Sequence, residues 1–483
     1  MHIDFLLHPG YTVQYLVAIF AVLYLLYRHR KDMFECLLIL LFCDGVAAAI
    51  SPQVQNIYKI VCLLLCVYMF LTSRRIMFTV AQKYTAYVVA FVLILLLFAN
   101  SFLMYAENVP LTLLFSQISR YIEIFLVFCI IYYLVNNKRR NLELADVFFE
   151  IYLVQILLSI LKVFTIRGIT EGVSGTMAYS GGGIGTSGPI IGVIFYWVLC
   201  NGKFELKNWL YVAGLLFWGL MTAKRAVLIM FPVIVLALSA FVAGRKISKY
   251  VVIGIMAVPI LFYLGVRLNP TLNPDKKYWG RFDWNYVFNY AETYQFGDDE
   301  HLEAVRGNKR QKGNLIYSQG RVQDRILFVE GRGATTLALL SHLFVERNLT
   351  TKDWWGWGLH TQYYSRGSYD YTSIDDLLVQ PTHSGSATGI YQIYVAFGLI
   401  GIIAMIFFNF IPFFYFKNRR LGLLIAVFYF YDFFMYSGLI SRTPALAATI
   451  FFVLHYTNYQ INLQNQLRRE YYANLRNNTG IQR

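Results

Sequence analysis

Charge is scarce in this chain. Only 14% of its 483 residues are Asp, Glu, Lys or Arg, against 57% hydrophobic, a balance that excludes disordered and fibrous classes. Cysteine is missing from the longest polar segment. All six, Cys36, Cys43, Cys62, Cys66, Cys129 and Cys200, lie in or beside apolar runs, so neither a disulfide framework nor a zinc motif is implied. Cys62 and Cys66, four residues apart, read as packing on one helix face. The Gly-rich stretch SGTMAYSGGGIGTSG (174–188) lacks the Lys-Ser/Thr ending of a nucleotide loop. The first eleven residues hold no Lys or Arg, so the basic start of a cleaved signal peptide is missing and residues 12–27 are expected to stay as a span. No internal repeat is visible, which argues against the repeat-built transporter folds.

What is present is a series of apolar runs near the ~20 residues that cross a bilayer. Aromatic residues make up 17%, suited to lipid and its interfaces. The fold expected is all-α: a polytopic membrane protein with about thirteen spans (twelve to fourteen), at 12–27, 33–50, 56–73, 86–106, 114–135, 147–164, 188–201, 209–222, 226–243, 250–266, 389–411, 421–439 and 445–457. Domains follow as 1–266 (N-terminal spans), 267–388 (a large polar loop), 389–457 (C-terminal spans) and 458–483 (tail).

The net charge of +15 raises nucleic acid as a partner, and its location rejects it. Residues 267–389 hold 14 basic and 14 acidic side chains, leaving 28 against 13 elsewhere. The excess therefore flanks the spans and reads as topology. Alternate connections carry the clusters Arg28/Arg30/Lys31, Arg74/Arg75/Lys83, Lys138/Arg139/Arg140, Arg245/Lys246/Lys249 and Lys417/Arg419/Arg420, whereas the opposite short connections hold only Arg167, Lys224, Arg225 and Arg442. The N-terminus and residues 267–388 are thus expected outside, the C-terminus in the cytoplasm.

A 120-residue outward segment is too long for a passive connector, so a mainly helical cap is expected. Within it ATTLALLSHLFVER (334–347) repeats apolar positions with helical spacing and should pack on the spans or dip into the interface. The glycines of 174–188 permit close approach of a ligand or a neighbouring helix. Arg225 stands at an outer edge beside Lys224; its guanidinium fork matches phosphate oxygens, or it snorkels to headgroups. Asp44 and Asp432 lie within spans without an evident partner in sequence, the best sign of a proton path.

In order and topology, residues from about 170 to 435 resemble the family of bacterial O-antigen ligases and polysaccharide polymerases. The resemblance rests on SGGGIGTSG, Arg225, the large outward loop, Gly331-Arg332 leading to Gly356-Trp357-Gly358, and His383-Ser384 before Gly398-Leu399-Ile400-Gly401. One departure stands out: the family usually has nine residues between the His pair and the first glycine, and here residues 385–397 make thirteen. Four extra residues are one helical turn, which keeps the azimuth of His383 and moves it ~6 Å outward. His360 is the alternative, as Arg321 is to Arg332, although Arg332 has the better spacing to Gly356.

The resemblance implies a GT-C-like glycosyltransferase that moves a glycan from polyprenyl pyrophosphate to a hydroxyl, with no metal and no cofactor. Arg225 and Arg332 would stabilise charge on the leaving diphosphate and His383 would take the acceptor proton, with Lys224, Arg321, Ser384, His360 and Trp357 in the substrate site. Expected partners are the undecaprenyl pyrophosphate-linked oligosaccharide, the lipid bilayer, and a chain-length regulator or flippase, in a bacterial inner membrane. A polymerase is preferred to a ligase because nothing marks an acceptor site for a lipid core. A flippase or other transporter is the competing class. A third class, transferases using a polyprenyl monophosphate sugar, usually carries an acid in the first outward loop, which here is SPQVQ (51–55).

Overall fold

The computed structural model describes residues 9–73, 75–137, 141–166, 175–178, 183–200, 205–222, 226–242, 259–260, 262–269, 272–277, 279–296, 327–329, 332–346, 349–361, 379–381, 387–435 and 443–479. These residues are helical almost throughout. The departure from an all-helical fold is one pair of three-residue parallel strands, β1 (Leu327–Val329) and β2 (Val379–Pro381), which brings the middle of the polar loop against a stretch near its C-terminal end.

The first half contains α1 (Pro9–Arg28), α2 (Met33–Leu41), α3 (Asp44–Ile50), α4 (Pro52–Thr72), α5 (Arg75–Lys83), α6 (Thr85–Met104), α7 (Leu111–Asn136) and α8 (Asn141–Thr165). Local sequence sets their ends. Asp32 caps α2 by accepting from the Phe34 N–H, and Ser51 caps α4 in the same way from Val54, with Pro52 at the first helical position where no N–H is needed. Next come α9 (Ile184–Leu199), α10 (Leu206–Met221) and α11 (Ala226–Ala237), which continues as a π-turn over Leu238–Val242. The polar loop contributes α12 (Trp284–Phe296), α13 (Arg332–Ser341), a π-turn over His342–Glu346, and α14 (Thr351–Trp355). The chain ends with α15 (Gly389–Phe414), α16 (Arg419–Met435) and α17 (Pro444–Thr479).

Among the described residues six helices, α1, α4, α6, α7, the Leu144–Thr165 part of α8, and α15, are long and apolar enough to cross a membrane, and α2 with α3, bent by 60° between them, makes a seventh. This is the architecture of a polytopic membrane protein. Large apolar side chains such as Leu103 and Phe164 stand about four-fifths exposed on these helices, as hydrocarbon rather than water would allow. The expected spans 188–201 and 209–222 fall on α9 and α10, each 16 residues and so about 24 Å long, short of the ~30 Å core. Expected span 250–266 lies mostly outside the described residues. The expected helix at 334–347 is α13 and its π-turn; the Thr336 hydroxyl donates to the Phe434 carbonyl on α16 at 2.8 Å, so this segment packs on the spans.

One large apolar core joins the spans, with smaller clusters beside it, such as Tyr15, Ala49 and Ile166. Tyr84 packs edge-on to Phe128, Tyr132 and Tyr415 with centroids 5.0, 5.4 and 4.8 Å away, and Tyr87 stacks on Phe408 at 5.2 Å. Such aromatic pairs each add about 0.5–1.5 kcal/mol beyond area burial. Cys62 and Cys66 are fully buried in this core, in line with a packing role.

Candidate functional site

Two loops dock into two helix breaks. The first break is in α15, where Gly398 has φ 65° and ψ −159°, a region open essentially to glycine alone. A break releases carbonyls of the preceding turn, and the Val395 carbonyl accepts the Trp357 N–H at 2.8 Å. The two backbones touch: a Cβ on Gly398 would lie 2.4 Å from the Trp354 carbonyl, and one on Gly356, itself at φ 84°, 2.5 Å from the Phe397 nitrogen. On the other side, Tyr105 Oη donates to the Gly356 carbonyl at 2.6 Å and the Leu359 N–H donates to Ser101 Oγ at 3.1 Å. The two motifs Gly356-Trp357-Gly358 and Gly398-Leu399-Ile400-Gly401 are therefore halves of one joint.

This joint carries two of the expected site residues. Trp357 is buried with its ring 5.5 Å from that of Tyr394. His360 is half-buried with its ring 5.6 Å from Tyr105. Burial pushes the His360 imidazole below its ordinary 6.5, which keeps it neutral near pH 7, the form that accepts a proton.

Asp353 locks the joint from behind. It forms a capping box with Thr350 at the start of α14, accepts the Tyr394 hydroxyl of α15, and has Oδ1 3.1 Å from His342 Nε2. Burial by itself would raise the carboxyl, but the bonds from His342, Tyr394 and Thr350 outweigh it and hold Asp353 well below the usual carboxylate range. Neither Asp353 nor His342 stood out in the sequence, although Thr350-x-x-Asp353 is a capping signature.

The second break lies between α2 and α3, and Gly175–Ala178 of the Gly-rich loop fills it. The Thr176 hydroxyl donates to the Phe42 carbonyl at 2.7 Å, the Gly45 N–H donates to the Thr176 carbonyl at 3.0 Å, and Gln155 of α8 holds Thr176 by two 2.8 Å bonds. A Cβ on Gly45 would meet the Ala178 backbone at 2.3 Å. The same closeness continues into α9, where a Cβ on Gly185 would strike the Thr222 side chain and one on Gly188 the Trp218 ring. These glycines serve approach to neighbouring helices.

Between the two joints runs a hydrogen-bonded rim. Thr222, at the end of α10, directs its hydroxyl to the Gly219 carbonyl of its own helix at 2.6 Å and shares it with the Gly185 carbonyl of α9 at 3.2 Å; Ser187 of α9 donates to Asp432 of α16 at 3.2 Å; Thr336 of α13 joins the Phe434 carbonyl, two residues beyond Asp432, to Thr388, the N-cap of α15, at 3.2 Å. Arg332 opens α13, one turn before Thr336, and is partly exposed. Arg225 and Lys224, which follow Thr222 in the chain, His383 and Ser384, which precede Thr388, and Arg321 lie outside the described residues.

Sequence inspection passed over Lys162. It is buried in α8 and its ammonium donates to the Met221 carbonyl at 2.7 Å, next to Thr222. Its presence inside the expected span 147–164 was the available signal, since an ionisable residue in a span marks a functional position by default. The two span aspartates also have partners: Gln55 donates to Asp44 at 2.9 Å and Lys59 lies 3.6 Å from it, while Asp432 takes the Ser187 hydroxyl. Among the described residues no group of three His, Cys, Asp or Glu side chains is arranged to hold a metal ion. No protein-family model matches this chain, and no curated protein matches it.

Proposed function

We propose that the chain is a membrane glycosyltransferase, a polysaccharide polymerase that transfers a polyprenyl pyrophosphate-linked glycan to the hydroxyl of an acceptor lipid-linked repeat unit at the outer face of a bacterial cytoplasmic membrane. The observation that supports it best is the rim. Thr222, Thr336 and Thr388 belong to the three segments that lead into Arg225, follow Arg332 and follow His383, and one run of helices, α9, α16, α13 and α15, ties them together.

In this reading Arg225 and Arg332 stabilise the charge that gathers on the departing diphosphate. His383, or His360 in its place, takes the proton from the acceptor hydroxyl as that oxygen bonds to the anomeric carbon. The bond from that carbon to the diphosphate oxygen breaks with its electron pair, and attack from the opposite face inverts the centre. Lys224, Arg321, Ser384 and Trp357 line the diphosphate and glycan. The finer architecture of the reading is GT-C-like with about thirteen spans, the shorter helices α9, α10, α11, α16 and the start of α17 completing the crossings, the N-terminus outside and the C-terminus in the cytoplasm. A ligase differs only in its acceptor.

A transporter is the second reading, favoured by the 60° bend between α2 and α3 with Asp44 at its edge, the kind of broken helix that transporters use. Reconstituted protein supplied with a lipid-linked repeat unit separates the three. Long polymer on the carrier lipid supports polymerase, glycan moved to another acceptor supports ligase, and movement across the bilayer without a new glycosidic bond supports transport. Arg332→Ala should lower polymer formation by about 10²–10³-fold, as loss of one electrostatic stabiliser does; wild-type turnover in that variant removes Arg332 from the mechanism.

A further inference from the structure

The end of the bundle opposite the rim holds a cavity of about 360 Å³ lined by Arg75, Ile76, Thr79, Tyr132, Tyr133, Asn136 and Asn137. It forms where the short helix α5 crosses between α4 and α6 beside the last turn of α7. α5 turns Ile76 and Val80 inward, both nearly fully buried, and leaves Arg75, Phe78 and Thr79 on its open side, with Phe78 75% exposed. A nine-residue helix with this division lies in the interface rather than across the membrane.

We propose that this cavity binds the phosphate-bearing head group of an anionic phospholipid. The lining supplies what a phosphodiester needs. Arg75 gives a guanidinium fork, Tyr132 and Tyr133 give phenol groups, and Asn137 gives a side-chain amide. Asn136 donates one amide hydrogen to the Tyr132 carbonyl at 2.7 Å and retains its second.

Charge points the same way. Neither 75–83 nor 126–137 contains an Asp or Glu. Lys83, at the far end of α5, sits 5.0 Å over the Tyr132 ring, and burial together with the like charge of Lys417 lowers its pKa. Within these two segments the fixed charge is therefore only positive, as suits a leaflet rich in anionic lipid. The occupant is a lipid rather than free phosphate because the exposed Phe78 and the tyrosines place acyl-chain and interfacial contacts beside the cation. This proposal is independent of the transferase reading.

The test uses the full chain, purified in mild detergent, stripped of lipid and offered equal amounts of dioleoyl phosphatidylglycerol and dioleoyl phosphatidylcholine, with retained lipid counted by native mass spectrometry. The wild type should hold phosphatidylglycerol about five-fold better, the effect of one basic residue near the surface. Arg75→Gln should abolish the preference, and Asn136→Trp, which fills the cavity and leaves the charge alone, should lower phosphatidylglycerol retention. Equal retention of both lipids by the wild type overturns the proposal, as does an undiminished preference in both variants. Displacement of phosphatidylglycerol by inorganic phosphate alone overturns the choice of a lipid.

Discussion

Alanine at Gly398 should open the joint on α15. The residue would be forced into a backbone region that costs a side-chain-bearing residue about 1–3 kcal/mol. Its Cβ would also sit 2.4 Å from the Trp354 carbonyl, which is backbone and cannot swing aside. The relief available is for residues 354–358 to lift off α15, with loss of the Trp357 to Val395 bond at about 1 kcal/mol. The expected destabilisation is therefore about 2–4 kcal/mol. Thermal unfolding in lipid nanodiscs, followed through tryptophan fluorescence, measures it, with lipid-facing Ile403→Ala as a variant expected to do little. The decisive measurement is the cycle with Gly356→Ala. Both substitutions fail against the same contact, so the double variant should lose clearly less than the sum of the singles. Additive losses, or an alanine at Gly398 that melts like the wild type, refute the joint.

Two further tests address titratable groups. Asp353→Asn replaces a buried carboxylate that receives His342, Tyr394 and Thr350, and should cost about 1.5–3 kcal/mol, the range for bonds to a charged group, read by the same melts. The folded carboxyl titrates below its ordinary 3.8, so its stabilisation is complete above that value and disappears only as the pH falls through the lower folded value; the Asn variant's deficit should be constant from about pH 8 to pH 5. If His360 accepts the acceptor proton, its lowered pKa places the acid limb of kcat below pH 6.5, and His360→Gln removes that limb. An acid limb centred above 6.5 in the wild type excludes it from the role.

The long spans were legible because their signal is local: expected spans 12–27 and 56–73 correspond to Pro9–Arg28 and Pro52–Thr72. Helix α5 carried its own signal too, in Ile76 and Val80 four residues apart and in line with Tyr84 at the cap of α6, but nine residues within a basic connection are easily taken for a loop. The break in the second span was half visible, since Asp44-Gly45 is a helix-start and turn pair inside an apolar run. What fills that break was not visible, because Thr176 is 131 residues away. The glycine motifs were found as spacings, whereas their mutual contact across some forty residues depends on tertiary packing. Lys59 and Gln55 as partners of Asp44 follow from α4 starting at Pro52 and folding back along α3, which hydropathy does not encode. Lys162 was legible and passed over.

The break between α2 and α3 has a consequence for synthesis. The ribosome completes Gly45 well before Thr176, the residue whose carbonyl receives its N–H. At about 5–20 residues per second the interval is on the order of ten seconds, and bare peptide groups facing hydrocarbon for that long would cost several kcal/mol each. The upstream hairpin therefore needs a stand-in partner, water or the insertion machinery, until its plug is translated. On this account the first two crossings are among the last to reach their final form, although they are made first.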